Sequence, residues 1–229
     1  MNILENISAF QNLIYIAASI LFITGIKMLG KEDTAVTGNF LSALAMLIAV
    51  VITFLDPDVQ VNPYLILAGI GVGATVGSLI ALKVKMTSIP EMVALFNGFG
   101  GLATFFIAWS EFNSVPDNTF QYVLIMLTTY IGGVTFSGSI VAYGKLSEKL
   151  KIQKTSIITK FFTTIFYVSI IYLIYSILIA NIFIPPFDFF IVLLALTLLG
   201  GIGFVIPIGG GDMPVVISLL NSFSGIAAG

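Results

Sequence analysis

A chain of 229 residues that is 58% hydrophobic and 9% charged has too little polar surface to cover a soluble globule. Its net charge of −2 names no partner, and the absence of cysteine and histidine removes disulfides, thiol chemistry, the commonest metal ligand and the side chain that titrates nearest neutrality. What remains is an all-α, polytopic transmembrane helix bundle.

A helix needs about 20 apolar residues to cross the hydrocarbon. In chain order, the polar breaks leave predicted spans at 6–26, 35–55, 64–82, 90–109, 120–143, 161–184 and 187–208, with an eighth at 213–229 that ends with the chain. The runs are about twice the length of a barrel strand and do not alternate, so helices are the spanning structure. The first ten residues carry Glu5 and no basic residue, the reverse of a cleavable signal, so the first run reads as a retained span. The eighth has about 17 residues, near the lower limit for a span. It also closes on Gly-Ile-Ala-Ala-Gly without a polar flank, and a missing C-terminal portion is expected.

The lysines order these spans. All nine basic residues are lysine, and they fall only in alternate connections: Lys27 and Lys31, then Lys83 and Lys85, then Lys145, Lys149, Lys151, Lys154 and Lys160. The other connections hold Asp56, Asp58, Glu111, Asp117 and Asp188. By the positive-inside rule the lysine loops are cytoplasmic and the N-terminus is outside. Tyr64, Trp109, Phe112, Phe120, Tyr122, Phe183 and Phe187 gather at the expected outer edge, as an aromatic belt would.

Within the third span, Gly69-Ile-Gly71-Val-Gly73-Ala-Thr-Val-Gly77 superficially resembles a nucleotide loop, but no strand precedes it and it lies inside a span. Gly73 and Gly77 fit a small-xxx-small packing face instead.

The fourth and eighth spans are written alike. Pro90, Leu95, Asn97, Phe99, Gly101 and Ala103 recur at one constant offset as Pro214, Leu219, Asn221, Phe223, Gly225 and Ala227. The recurrence is either a parallel structural repeat, as in some transporters, or convergence on one way of starting a helix. Ser88-Ile-Pro90-Glu91 reads as a capping box with proline in the first turn. Asp212 sits before Pro214 at the equivalent start, where free N–H groups favour an anion. Each acid is either a cap or a contact for a partner, and Asp212 is the better candidate for contact because Gly209, Gly210 and Gly211 leave it uncovered.

Asn97 and Asn221 each lie nine residues past their cap, roughly 13 Å along the axis and near the centre of a hydrocarbon core about 30 Å thick. An amide at that depth either bonds a neighbouring helix or borders a polar, water-accessible seam. Gly98, Gly100, Gly101, Ser218, Ser222 and Ser224 around them favour the seam, and Thr135, Ser137 and Ser139 of the fifth span extend it. No acid or base lies in mid-span, so a proton crossing here needs a titrating group from another chain, or water.

Three stretches, 90–99, 135–146 and 210–225, closely resemble the β-subunit family of proton-translocating NAD(P) transhydrogenases. The resemblance implies an enzyme complex that transfers hydride reversibly between NAD(H) and NADP(H) while protons cross its membrane domain. Residues 1–229 would be the proton-translocating membrane domain, lacking a ninth span and the soluble NADP(H)-binding domain. The implied proton path is Asn97, Ser139 and Asn221, with Glu91 and Asp212 at the cytoplasmic coupling end. No cofactor is expected on this chain, NAD(H) and NADP(H) being used elsewhere in the complex, and it would not be catalytic alone.

The implied partners are the α subunit, with its membrane helices and NAD(H)-binding domain, the β subunit's own NADP(H)-binding domain, and the lipid of a bacterial inner membrane. A dimer of the complex and no nucleic acid complete the set. Some family members carry a histidine at the position of Asn97; here the titrating group is expected on a partner helix. The competing reading is a stand-alone proton- or sodium-coupled secondary transporter with its site between the two similar helices, and a third is a purely structural membrane subunit.

Overall fold

Lipid offers the backbone no hydrogen-bond partners, and the described residues are mostly helical. A computed structural model describes residues 3–55, 62–114, 118–151, 156–180 and 187–228. Its α-helices are α1 (Ile3–Leu29), α2 (Glu32–Phe54), α3 (Pro63–Lys83), α4 (Ile89–Asn113), α5 (Thr119–Leu146), α6 (Ile157–Ala180), α7 (Phe187–Val205) and α8 (Met213–Ala228). Short 3-10 turns at Met86–Ser88 and Gly210–Asp212 lead into α4 and α8. Seven of the helices are long and apolar enough to cross a membrane, and α8, with 16 residues, is shorter. Asp56, Asp58, Asp117, Lys154, Phe183 and Gly229 lie outside the described residues.

Helix ends depart from the expected spans for local reasons. Helix α2 starts early because Glu32 and Asp33 occupy its first turn, where the positive dipole end favours carboxylates. Helix α7 stops at Val205 instead of 208, because Pro207 lacks an N–H and disfavours helical geometry at Ile206.

The chain divides into two compact units, Met1–Leu82 and Lys83–Gly229. In the first, α1 packs on α2. A Cβ added to Gly25 would lie 2.7 Å from the Gly38 carbonyl oxygen, and one added to Gly38 would lie 2.6 Å from that of Gly25. Only glycine permits backbones this close. The Tyr15 and Thr53 hydroxyls share a hydrogen bond of 2.8 Å farther along the pair. Helix α3 buries none of its residues, and Cβ atoms at Gly69, Gly73 and Gly77 would meet nothing within 4 Å. The expected packing at Gly73 and Gly77 is therefore not formed within the described chain. Leu65, Leu67, Ile70, Val72, Val76 and Leu79 are all exposed on α3, an apolar surface suited to lipid or another helix.

In the second unit α5 is the central helix, with buried residues recurring from Tyr122 to Ala142 and α4, α6, α7 and α8 packed against it. Small residues set the spacing. A Cβ on Gly101 of α4 would come within 2.8 Å of the Phe136 backbone nitrogen, and one on Gly132 of α5 within 2.7 Å of that of Phe105. Hydroxyls inside the helices turn back on their own carbonyls, as Thr129 does to Ile125 at 2.7 Å and Ser176 to Tyr172 at 2.9 Å.

At one end of this unit Phe112 stacks on Phe190 at 4.4 Å and Trp109 meets the same ring edge-on at 5.6 Å. Two members of the expected belt are thus core residues: Phe112 and Tyr122 are buried, while Phe120 and Phe187 are exposed. Hydropathy fixes how deep a ring sits along the helix and leaves its rotation about the axis to packing, which turned these two inward.

Candidate functional site

The likeness of α4 and α8 extends from sequence into structure. Each begins with a 3-10 turn introduced by an extended residue, Lys85 (φ −76°, ψ 149°) and Gly209 (φ −71°, ψ 155°). Each turn closes with the same backbone bond, Ser88 N–H to the Lys85 carbonyl at 2.9 Å and Asp212 N–H to the Gly209 carbonyl at 3.1 Å. The expected capping box at Ser88 and Glu91 is not formed: Ser88, at φ −98° and ψ 6°, makes no side-chain cap bond. As the last residue of a 3-10 turn it lacks the extended backbone that aims a cap hydroxyl at the helix start. Glu91 remains in the first turn of α4, partly buried, and Asp212 is exposed at the start of α8.

These parallel starts bring equivalent faces of the two helices to one groove of about 910 Å³. Pro90, Val93, Asn97 and Gly100 line it from α4, and their counterparts Pro214, Ile217, Asn221 and Ser224 line it from α8. Its walls are mainly apolar, with Thr104 and Ser218 as further polar groups, and it holds no titratable side chain.

The two asparagines differ in what they meet. Asn97 is 9% exposed, and its Nδ2–H donates to the Ser139 hydroxyl of α5 at 2.8 Å. Ser139 is fully buried behind it, away from the groove lining. Asn221 is exposed on the groove wall and has no hydrogen bond among the described residues. One helical turn from Asn221, Ser224 shares a hydrogen bond of 3.1 Å with Thr135, which lies on the Ser139 face of α5 one turn back. The Thr128 hydroxyl continues that face, donating to the Ala227 carbonyl at 3.3 Å. Sequence reasoning placed Ser224 and Thr135 in the seam without pairing them, and it missed Thr128, although the seven-residue step from Thr128 to Thr135 was its signal.

A groove with amides at one level on both walls, closed behind by hydroxyl bonds, can hold water or receive a side chain from outside the chain. Residues 11–229 match PNTB, the NAD(P) transhydrogenase beta subunit family. The chain belongs to that family. The NAD(P) transhydrogenase subunit beta of Rhodospirillum rubrum, in two sequences of that species, is 34% identical over 223 residues, covering 93% of this chain and 47% of the relative. The chain spans about half the length of the curated relatives it matches. Membership and seven membrane-length helices together make this member a multi-pass membrane protein, and disfavour the stand-alone transporter.

Proposed function

We propose that this chain is the proton-conducting membrane portion of a transhydrogenase β subunit, coupling proton translocation to reversible hydride transfer between NAD(H) and NADP(H) in soluble domains. The observation that carries the proposal is that Asn97 and Asn221 line one groove, in matched register, in a member of this family. Neither amide titrates, and no other groove residue does, so the proton is handed on by water or by a titrating side chain on a helix of the α subunit. An intramembrane groove of this size has room for either.

In the proposed orientation the N-terminus is outside and Lys83 and Lys145 face the cytoplasm of a bacterial inner membrane. Asp212 then lies on the cytoplasmic side, available to an NADP(H)-binding domain, with Glu91 at the matching end of α4. The α subunit supplies the NAD(H)-binding domain, and two such complexes associate. Gly73 and Gly77, unpacked in the described chain, are proposed to meet a partner helix.

The test is gradient-driven hydride transfer by the complete complex in sealed vesicles. Asn97→Leu removes the amide and fills the groove with an apolar side chain, and the driven rate is expected to fall at least about tenfold. Asn97→His, which introduces a titrating group, is expected to retain more of the rate. A leucine variant that pumps at the normal rate removes the groove from the proton path.

A further inference from the structure

The α7–α8 corner poses a backbone problem that one lysine solves. Pro207 has no N–H to give, so α7 ends at Val205 in an apolar setting where Val205 and Ile206 are buried; the Val205 carbonyl takes the Ile208 N–H at 3.1 Å, and no further helical turn follows to serve the carbonyls of Ile206 and Ile208. The Gly203 carbonyl takes the Thr163 hydroxyl at 3.4 Å. Those of Val205, Ile206 and Ile208 converge on Lys145, whose ammonium donates to Val205 at 3.3 Å, to Ile208 at 2.5 Å and to Ile206. An ammonium has three donors, and here they meet three carbonyls at the negative end of a helix.

Lys145 is itself firmly held. It lies in the last turn of α5, which closes with the Leu150 N–H reaching back to the Gly144 carbonyl at 2.8 Å and with Glu148 in the left-handed region at φ 54°. Gly210 and Gly211 themselves are open, since Cβ atoms there would meet nothing within 4 Å, whereas Met213 just beyond them is fully buried. The same α5 carries Ser139 and Thr135, the partners of Asn97 and Ser224.

We propose that Lys145 is a positioning residue, a clasp that fixes the Gly209–Asp212 corner to α5 and so ties Asp212 to the Asn97–Ser139 pair. The role rests on the proton-coupling function proposed above. Without the clasp the corner is held to α5 only through the packing of α8 behind Met213, and a displacement at Asp212 is transmitted less fully to the groove. Arginine keeps the charge, but its planar fork does not converge on three carbonyls, so it replaces lysine only in part.

The clasp is tested in the assembled complex in vesicles, with a spin label on a single cysteine replacing Gly210 in this cysteine-free chain. In Lys145→Met the label is expected to become clearly more mobile than in the Lys145 background. The ratio of gradient-driven to gradient-free hydride transfer should fall about tenfold, with Lys145→Arg between the two. Loss of folded complex lowers both rates alike and leaves the ratio unchanged. If Lys145→Met does not accumulate, Lys145→Gln, neutral and with fewer donors, carries the same two measurements. Unchanged label mobility shows that the clasp does not exist. Raised mobility with an unchanged ratio leaves Lys145 a helix cap and overturns the positioning role. A parent complex that shows no gradient-driven transfer at all defeats the proposed function instead, and the label still decides the clasp.

Discussion

Asn97 and Ser139 are joined across the α4–α5 boundary by an Nδ2–H···Oγ hydrogen bond of 2.8 Å, at a level where the matched Asn221 of α8 is left open to the groove. The parallel repeat is thus asymmetric at its polar centre. One amide is anchored to the bundle, and the other is offered to whatever enters the groove.

The anchoring bond should be measurable as a coupling energy. Removing either partner by Asn97→Ala or Ser139→Ala, and then both, is expected to give a double-mutant interaction of about 1 kcal/mol, within the range for interhelical hydrogen bonds in membranes. Water entering from the groove softens the single Ser139→Ala change, because Asn97 borders that space. Reversible unfolding in mixed micelles measures the cycle, and strictly additive losses would mean that the pair does not interact.

Close backbone approach predicts a sharp contrast between glycines. Gly132→Ala places a methyl group 2.7 Å from the Phe105 backbone nitrogen, where no flexible side chain can yield, and should destabilise the bundle by about 1–3 kcal/mol. Gly73→Ala enters open space and should leave the isolated chain's stability unchanged. If Gly73→Leu weakens assembly of the complex while sparing the isolated chain, α3 meets a partner through that face. Equal losses from Gly132→Ala and Gly73→Ala would contradict the packing described.

Much of this architecture was legible because lipid imposes one rule on every span. Run length located seven membrane-length helices, and the offset between Pro90–Asn97 and Pro214–Asn221, which left repeat and convergence both open, falls on two helices that start alike and share a groove. Hydropathy reports depth, however, and carries almost no information about rotation around a helix axis. That is why Phe112 and Tyr122 were placed in an outer belt and are in the core, and why equal depth did not distinguish the bonded Asn97 from the open Asn221. Lys145 was hidden for a different reason. Counted with the loop lysines as a marker of sidedness, it revealed nothing of the carbonyls at the end of α7 that it meets 60 residues on.

Sidedness itself is directly testable. Single cysteines at Lys85 and Ser147 should react with an impermeant maleimide only from the cytoplasmic side, and cysteines at Asn62 and Ser114 only from outside. The chain has no cysteine of its own to confuse the labelling. External labelling at 85 and 147 would invert the topology and move Asp212 to the wrong side for an NADP(H)-binding domain.

The sharpest departure from the repeat concerns Asp212. In the alignment that pairs Asn97 with Asn221, Asp212 corresponds to Ser88, so α8 presents an exposed carboxylate where α4 presents an uncharged hydroxyl that caps nothing. The two turns have the same backbone form, so the charge is not needed to build the turn. Asp212→Ser, which writes the α4 residue into α8, should therefore change stability by no more than about 1 kcal/mol, the scale of a lost charge at a helix start. The same substitution, and Asp212→Asn, should alter NADP(H) release and lower gradient-driven turnover in the assembled complex while leaving NAD(H) affinity nearly unchanged. Steady-state kinetics with each nucleotide varied in turn separates these effects. If both variants couple normally, Asp212 has no part in communication between the membrane bundle and the nucleotide domain, and its carboxylate is only a favourable charge at a helix N-terminus.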